Sequence, residues 1–163
     1  MKYNANTPHF IETNLKISKV IDGDSFLVKN LFNKNEKEIR LYGLDAPENK
    51  RNNKLRKDEK ETHLACEFLL KLGYLSTQFV LTVAPPGTNI TLITEKQNYY
   101  DFYKRQLAYL ILPDGRCLNE ILLAEGYAKP MNEYYCSRLS DFQVLNNVAK
   151  LENKGLYAIS SFF

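Results

Sequence analysis

Short alternating or apolar stretches, each ended by a turn signal, are the feature of this sequence that most restricts its fold. Residues 15–21 alternate along the chain, and Asp22-Gly23-Asp24 follows them as a turn. Comparable stretches recur between turn-forming residues, at residues 25–28, 38–44, 89–94 and 106–112. The pattern predicts five β-strands that are separated by turns, loops and one helix.

Three other segments have helical periodicity. Residues 61–72 place leucine and phenylalanine on one face, and Gly73 is the predicted end of that helix. Asn119 is predicted to cap a second helix that runs to about residue 125, and residues 135–152 form the third. The polar residues 49–60 are predicted to be a mobile loop. Strands interrupted by one helix and followed by two more favour a small antiparallel barrel of the α+β class.

Composition excludes several classes of protein. Three widely separated cysteines and two histidines offer no zinc-ligand spacing, so we expect no zinc site. No apolar stretch approaches the length of a membrane helix, and residues 1–12 lack the apolar core of a signal peptide. We therefore expect no membrane partner, and the compartment stays open between the cytoplasm and secretion after removal of a signal. The net charge of +3 permits a polyanionic partner without requiring one.

Acidic and arginine side chains recur at three places along the chain. They are Asp22-Gly23-Asp24, then Arg40, Asp45 and Glu48, and finally Arg105. Two carboxylates suit a hard cation and leave room for water and a phosphate oxygen. A further carboxylate can take a proton from water, and the planar fork of arginine pairs with two phosphate oxygens. Together these side chains predict a metal-dependent phosphodiesterase.

The segments that carry these residues resemble the thermonuclease family, the staphylococcal-nuclease-like domains. The resemblance lies in residues 20–25, 39–48 and 101–109, and it continues more weakly from 118 to 157. Each segment alone is more often a hairpin turn, a solvated loop or a surface cation, so the identification depends on their joint occurrence in this order. The similarity covers about residues 15–159, which we expect to form one domain after an N-terminal extension over residues 1–14.

The resemblance implies an α+β fold, namely a five-stranded OB-type β-barrel with three α-helices. It also implies a calcium-dependent nuclease that cleaves DNA, RNA or both and leaves 3′-phosphate ends. We expect a monomer. The alternative is a non-catalytic nucleic-acid-binding or protein-interaction module, because relatives of this fold have lost the catalytic residues and only bind; an unrelated OB-type binder of single strands is a third. The intact set of acids and arginines favours the enzyme.

The resemblance also implies a metal site. In the family, Ca²⁺ is held at the positions that correspond to Asp24, Asp45 and the backbone carbonyl of Ala46. Asp22 is expected to support the turn or the metal ligands without touching the ion.

The catalytic positions follow in the same way. The glutamate that activates or orients water falls on Glu48, and the two phosphate-binding arginines fall on Arg40 and Arg105. Further side chains are expected to bind the substrate through charge, stacking or hydrogen bonds, and these are Tyr103, Lys104, Tyr134, Tyr135, Lys50 and Arg51.

Two departures from the family pattern concern the segment before the fifth strand. Lys104 stands where the family usually has glycine, and if the position requires a positive φ, the lysine is strained or the loop is reshaped. Either outcome bears on the pose of Arg105. Phe102 replaces a residue that is often polar, which is expected to weaken a contact to a terminal phosphate.

Overall fold

The computed structural model describes residues 9–163, and within them five strands close into a barrel in the order β1-β2-β3-β6-β5. These strands are β1 (His9–Val20), β2 (Ser25–Asn30), β3 (Glu36–Leu41), β5 (Asn89–Glu95) and β6 (Gln106–Ile111). Two short strands, β4 (Leu44–Asp45) and β7 (Lys129–Pro130), pair outside the barrel. The prediction of a five-stranded barrel is confirmed.

Neighbouring barrel strands are antiparallel except for β3 and β6, which run parallel. Along β3, Ile39 and Leu41 are fully buried in the core, and Arg40 lies between them. Successive side chains of a strand point to opposite faces, so Arg40 is directed away from the interior of the barrel. This alternation places a guanidinium where the turn after β1 and the loop after β3 can reach it.

The described part of the chain contains four α-helices, one more than the sequence predicted. They are α1 (Asn53–Thr62), α2 (Cys66–Val83), α3 (Leu118–Ala124) and α4 (Leu139–Leu151), followed by a 3₁₀ turn at Gly155–Ala158. The additional helix α1 falls largely within residues 49–60, where the prediction of a mobile loop is wrong. Asn52 caps α1, because its side chain accepts a hydrogen bond from the Leu55 amide at 2.8 Å, and Leu55 is buried.

Gly73 does not end a helix, contrary to the prediction, but lies inside α2. A Cβ at this position would overlap the backbone carbonyl of Glu48. The glycine therefore serves close packing, since only a residue without a side chain lets α2 pass so near the chain at Glu48.

Asn119 is not a helix cap, because it lies within α3 and its side chain is buried. Its amide oxygen accepts a hydrogen bond from the Leu110 amide at 3.1 Å, and its nitrogen donates to the Tyr42 carbonyl at 3.1 Å. The side chain thus joins α3 to β6 and to the segment that leaves β3, where it also satisfies buried backbone groups.

The predicted N-terminal extension over residues 1–14 falls partly outside the described residues. Within them, the segment from His9 onward is part of β1, and His9 pairs with Glu95 of β5. Cys66, Cys117 and Cys136 are free thiols. Within residues 9–163, no single helix is long and apolar enough to cross a membrane. The helices α1 and α2 meet the length and composition required only when they are counted together, and a bend of 112° separates them.

Candidate active site

Three separate parts of the chain meet at one end of the barrel. The turn after β1 carries Asp24, β3 carries Arg40, and the start of β6 follows Arg105. The strand register explains their proximity, because Ser25 of β2 pairs with Arg40, and Arg40 pairs in turn with Leu107 of β6. Residues that are far apart in sequence are therefore neighbours across three adjacent strands.

Arg40 is almost completely buried and is held between two carboxylates. One terminal nitrogen donates to Asp24 Oδ1 at 2.9 Å, and the other donates to Asp45 Oδ1 at 2.8 Å. Burial lowers the pKa of Arg40, but the charges of Asp24 and Asp45 outweigh it and raise the pKa above its ordinary value. Its Nε has no hydrogen-bond partner within the described residues. Both ends of the guanidinium fork are thus engaged by acids.

The carboxylate of Asp24 is fully enclosed by donors. Its Oδ2 accepts a hydrogen bond from the Ala46 amide at 2.9 Å, and its Oδ1 accepts one from Ser25 Oγ at 2.9 Å. Burial raises the pKa of Asp24, but the charges of Arg40 and Lys54 and the hydrogen bonds from Ala46 and Ser25 together outweigh it and hold the pKa below its usual range. Asp24 is therefore ionised, and its position is fixed relative to Ala46.

Asp22 has a different environment, although it lies in the same turn. Its Oδ1 accepts a hydrogen bond from the Asp24 amide at 3.1 Å, which stabilises the turn. Burial, and then the charge of Asp24, raise the pKa of Asp22 to about 7. This placement is that of a side chain that supports the turn.

Lys54, in the first turn of α1, points its ammonium group into the predicted metal site. Its Nζ lies 3.0 Å from Asp45 Oδ1, 3.1 Å from the Ala46 carbonyl oxygen and 3.1 Å from Glu48 Oε1. Burial lowers the pKa of Lys54, but the charges of Asp45, Asp24 and Glu48 outweigh it and raise the pKa. Oxygens that the resemblance assigns to a metal ion and to the activation of water thus surround an ammonium group.

Glu48 is held on both its side chain and its backbone. Its Oε2 accepts a hydrogen bond from Asn52 Nδ2 at 2.6 Å, and its backbone packs against Gly73 of α2. The next residue, Asn49, donates to the Ile21 carbonyl at 2.9 Å and to Thr77 Oγ1 at 3.0 Å. These contacts leave Oε1, which faces Lys54, as the carboxylate oxygen nearest the predicted metal ligands.

Arg105 reaches the site from the loop before β6, and Asp101 fixes it there. Arg105 Nε donates to Asp101 Oδ2 at 2.7 Å, and its NH1 lies 3.3 Å from Ser25 Oγ and 3.5 Å from Glu38 Oε1. The contacts at NH1 are long, whereas the contact at Nε is short. The guanidinium is therefore anchored at one edge and weakly held at the other.

Lys104 has a φ of +63°, so the structure places a strained lysine at the position where the resemblance led us to expect glycine. The strain is accommodated by hydrogen bonds that centre on Asp101. Asp101 Oδ1 accepts from the amides of Tyr103 and Arg105 at 2.9 and 2.8 Å, and the Lys104 amide donates to the Asp101 carbonyl at 3.0 Å. The pose of Arg105 is thereby defined in spite of the lysine.

The predicted catalytic residues line one cavity of about 480 Å³. Its walls include Arg40, Glu48 and Arg105 together with Asp22. A second cavity of about 580 Å³ shares Arg40 and Arg105 with the first and extends past Asp45. Because the two cavities share lining residues, they form one groove, which charged side chains line along its course.

The side chains predicted to bind substrate are divided by the structure. Lys50 lines the first cavity, Tyr134 lines the second, and Tyr103 lines both. Tyr135 lines an adjacent pocket that shares Tyr134 with the groove. Arg51 forms an exposed ion pair with Glu67 and lines neither cavity, and Lys104 is exposed on its loop.

Three residues that shape the site are not identified by sequence reasoning. Lys54 belongs to a stretch that reads as a polar loop, and only the presence of α1 directs it to the acids. Asn52 caps that helix and also binds Glu48. An asparagine directly before a stretch that can be helical is a sequence signal for a helix cap. Asp101 lies in the motif that resembles the family, four residues before the arginine that it orients.

The donor set suits a hard cation, although the acids alone do not form a cage. Among residues 9–163, no group of three or more acidic, histidine or cysteine side chains converges so as to hold a metal ion. Asp45, Glu48 and the Ala46 carbonyl nevertheless already surround a cationic group, and Asp24 is ionised beside them. Oxygen donors of this type are the ones that Ca²⁺ prefers. The residues therefore fit a cation, and the group they surround here is the ammonium of Lys54.

Comparison with known families gives one result. A family model described as "Staphylococcal nuclease homologue" matches residues 38–158, which is more than half of the 163 residues. The matched segment contains Arg40, Asp45, Glu48 and Arg105, whereas Asp24 precedes it. A comparison with curated proteins finds no significant match.

Proposed function

Because this chain belongs to the staphylococcal nuclease homologue family, we propose that it is a calcium-dependent nuclease that hydrolyses phosphodiester bonds of DNA, RNA or both and leaves 3′-phosphate ends. The observation that carries the proposal is the cavity on which Arg40, Glu48 and Arg105 meet beside Asp24 and Asp45. Family membership alone is also compatible with a module that binds nucleic acid or protein without cleaving it. The proposal of a nuclease therefore depends on these side chains.

Glu48 is the residue that we assign to the attacking water. Its Oε2 is occupied by Asn52, and its backbone is fixed against α2, so Oε1, which pairs with Lys54 in this structure, is presented to the cavity in one orientation. A carboxylate in that position can orient a water molecule and accept its proton as the new bond to phosphorus forms.

The two arginines have different roles in this proposal. Arg105 keeps only long contacts at NH1, so exchanging them for phosphate oxygens costs little, and Asp101 holds the guanidinium in position meanwhile. Arg40 has both terminal nitrogens bound to Asp24 and Asp45, so it fixes these acids and adds positive charge beside the scissile phosphate.

Asp24, Asp45 and the Ala46 carbonyl are the residues that would hold Ca²⁺. When bound, the ion supplies positive charge that polarises the phosphoryl group. The hydrogen bond from the Ala46 amide to Asp24 and the two bonds from Arg40 keep these ligands together.

A digestion assay tests the proposal. Purified protein is incubated with single-stranded DNA, duplex plasmid and RNA, each with Ca²⁺ and with EGTA, and the product ends are identified by their sensitivity to a 3′-phosphatase. We expect cleavage that stops with EGTA and returns with excess Ca²⁺. Glu48→Gln is tested in the same assay, and Glu125→Gln, at an exposed carboxylate that lines neither cavity, is its control. Cleavage that ignores the chelator would contradict the metal requirement.

The alternative function is a non-catalytic module of the same fold that binds nucleic acid or protein. The same assay separates it from the nuclease, because binding without cleavage in the presence of Ca²⁺ would favour the module. The buried and mutually hydrogen-bonded acids and arginines favour the nuclease, since a module that only binds has no need of Glu48 beside Arg40 and Arg105.

A further inference from the structure

We propose that Lys54 is an internal competitor of Ca²⁺, whose ammonium group holds the cation position in the metal-free protein and leaves it when the ion binds. The inference rests on the function proposed above and concerns how the same site is filled. It assigns to Lys54 the control of metal affinity, a role that sequence reasoning does not give it.

The geometry around Nζ is that of a filled cation site. The ammonium group donates a hydrogen bond to the Ala46 carbonyl at 3.1 Å and forms ion pairs with Asp45 Oδ1 at 3.0 Å and Glu48 Oε1 at 3.1 Å, so three oxygens surround it. Two of these oxygens belong to the residues that would hold the ion. The ammonium group therefore uses the ligands that Ca²⁺ needs.

Lys54 and Ca²⁺ cannot share these ligands. A divalent ion bound to Asp45 and the Ala46 carbonyl would lie within a few ångströms of an ammonium group that contacts the same two oxygens. Repulsion between like charges at such a distance is strong in a partly buried site. Binding of the ion and withdrawal of Lys54 are therefore one event.

Lys54 is the cation that can leave, whereas Arg40 cannot. The Lys54 side chain is 30% exposed, and its flexible stem lets the ammonium swing outward without movement of α1. Asp58, one helical turn further on, has Oδ2 3.8 Å from Nζ and offers a third carboxylate that is not among the predicted metal ligands. Arg40, in contrast, is 6% exposed and bound at both ends.

The first test is the affinity for Ca²⁺ of Lys54→Met, which keeps the length of the side chain and removes its charge. Competition lowers the apparent affinity by the fraction of molecules that are competent to bind, so we expect the variant to bind Ca²⁺ about tenfold more tightly or better in isothermal titration calorimetry. Lys57→Met is the matched control, because Lys57 lies on the same helix and is exposed, and its replacement by methionine removes the same charge. Its affinity should stay within about threefold of the wild type.

The second test observes the ammonium group directly. In protein labelled with ¹⁵N-lysine, we expect an ammonium group held by one hydrogen bond and two ion pairs to exchange slowly enough with water to give an NMR signal, and comparison with Lys54→Met assigns it. We expect this signal in EGTA and its loss or shift on titration with Ca²⁺. Lys54→Gln repeats the calorimetry with a polar side chain if Lys54→Met does not fold.

The outcomes separate the two proposals. Equal Ca²⁺ affinity in the wild type and the Lys54 variants, with digestion that still requires Ca²⁺, overturns the role of Lys54 and leaves the proposed function intact. An unchanged ammonium signal at saturating Ca²⁺ overturns it as well. Absence of Ca²⁺ binding in the wild type and in every variant overturns both proposals. Digestion that continues in EGTA but is lost in Lys54→Met also overturns both.

Discussion

Buried carboxylates at two places in this molecule differ in whether cations are among their partners. At the end of the barrel, Asp24 and Asp45 are held by the cations Arg40 and Lys54. At the end of β5, Oε1 of the fully buried Glu95 accepts hydrogen bonds from neutral groups: the Tyr109 hydroxyl, the Ser137 amide at 3.0 Å and Ser137 Oγ at 2.7 Å. Its Oε2 has no hydrogen-bond partner among the described residues. The chain thus contains a charged cluster and a neutral-donor cluster of similar burial.

The difference in donors indicates which of these carboxylates can exchange a donor for a ligand. Hydroxyl and amide donors are fixed to the fold, so the Glu95 cluster joins β5 to β6 and to the segment before α4, and offers nothing to a ligand. A cationic donor can be exchanged for another cation, because the carboxylate keeps its charge and needs only compensation. The charged cluster also lines a cavity, and the Glu95 cluster does not line either cavity of the groove.

The largest expected effect separates the two clusters by activity. Glu48→Gln should lower kcat by on the order of 10²–10⁴-fold, because the amide cannot take a proton from water. Its thermal midpoint should stay close to that of the wild type, since the amide oxygen can still accept from Asn52. Steady-state digestion at saturating Ca²⁺ measures the rate. A rate near that of the wild type would remove Glu48 from the reaction.

The second effect tests whether Arg105 acts through its fork or only through its charge. Arg105→Lys should lower kcat by about 10- to 100-fold, because an ammonium group cannot hold Asp101 through one nitrogen and phosphate through another. Arg116→Lys is the control, because Arg116 pairs with the exposed Asp114 at the surface. Equal turnover of the two variants would show that only the charge of Arg105 matters.

The third effect is on stability and should leave the chemistry unchanged. Glu95→Gln should lower the free energy of unfolding by about 1–3 kcal/mol, because it weakens buried hydrogen bonds that now end on a carboxylate. The rate per folded molecule should not change. Urea denaturation measures the stability, and Glu125→Gln, an exposed carboxylate, is the control. A loss of activity without a loss of stability would invalidate the distinction between the clusters.

The smallest effect concerns the loop that presents Arg105. Lys104→Gly should raise the free energy of unfolding by about 0.5 kcal/mol, since relief of the left-handed backbone exceeds the added flexibility of glycine. Lys34, with a φ of +58°, is a matched position outside the site, so Lys34→Gly should gain a similar amount in urea denaturation. A gain at position 34 alone would indicate that the Asp101 hydrogen bonds already remove the strain at position 104.

The barrel was predictable because its strands carry period-two patterns that depend only on neighbours in sequence. The charged residues were found because Arg40, Asp45 and Glu48 lie close together in sequence, in a segment that resembles a known family. The position of α1 was missed, since a polar, asparagine-rich stretch resembles a loop until its cap at Asn52 and its buried Leu55 are known. The features that were not predicted depend on tertiary contacts.

Gly73 and Lys54 show what sequence patterns could not supply. A glycine after an apolar helical face is usually a stop, and only the approach of the Glu48 backbone explains its place inside α2. A lysine in a basic stretch is usually solvated, and only the direction of α1 turns Lys54 toward Asp45. In both cases the information lies in the distance between two segments, which no local pattern contains.

The parallel pairing of β3 with β6 determines when the site can assemble during synthesis on the ribosome. Parallel neighbours need a crossover, and here it includes α1, α2 and β5 before the chain returns beside Arg40. While the ribosome is still extending the polypeptide, Arg105 has no strand to anchor it until β6 has emerged. A nascent chain therefore cannot bring Arg105 beside Arg40 and Glu48 until Gln106–Ile111 closes the barrel, and under the function proposed above it would not cleave the ribosomal and messenger RNA around it before that point.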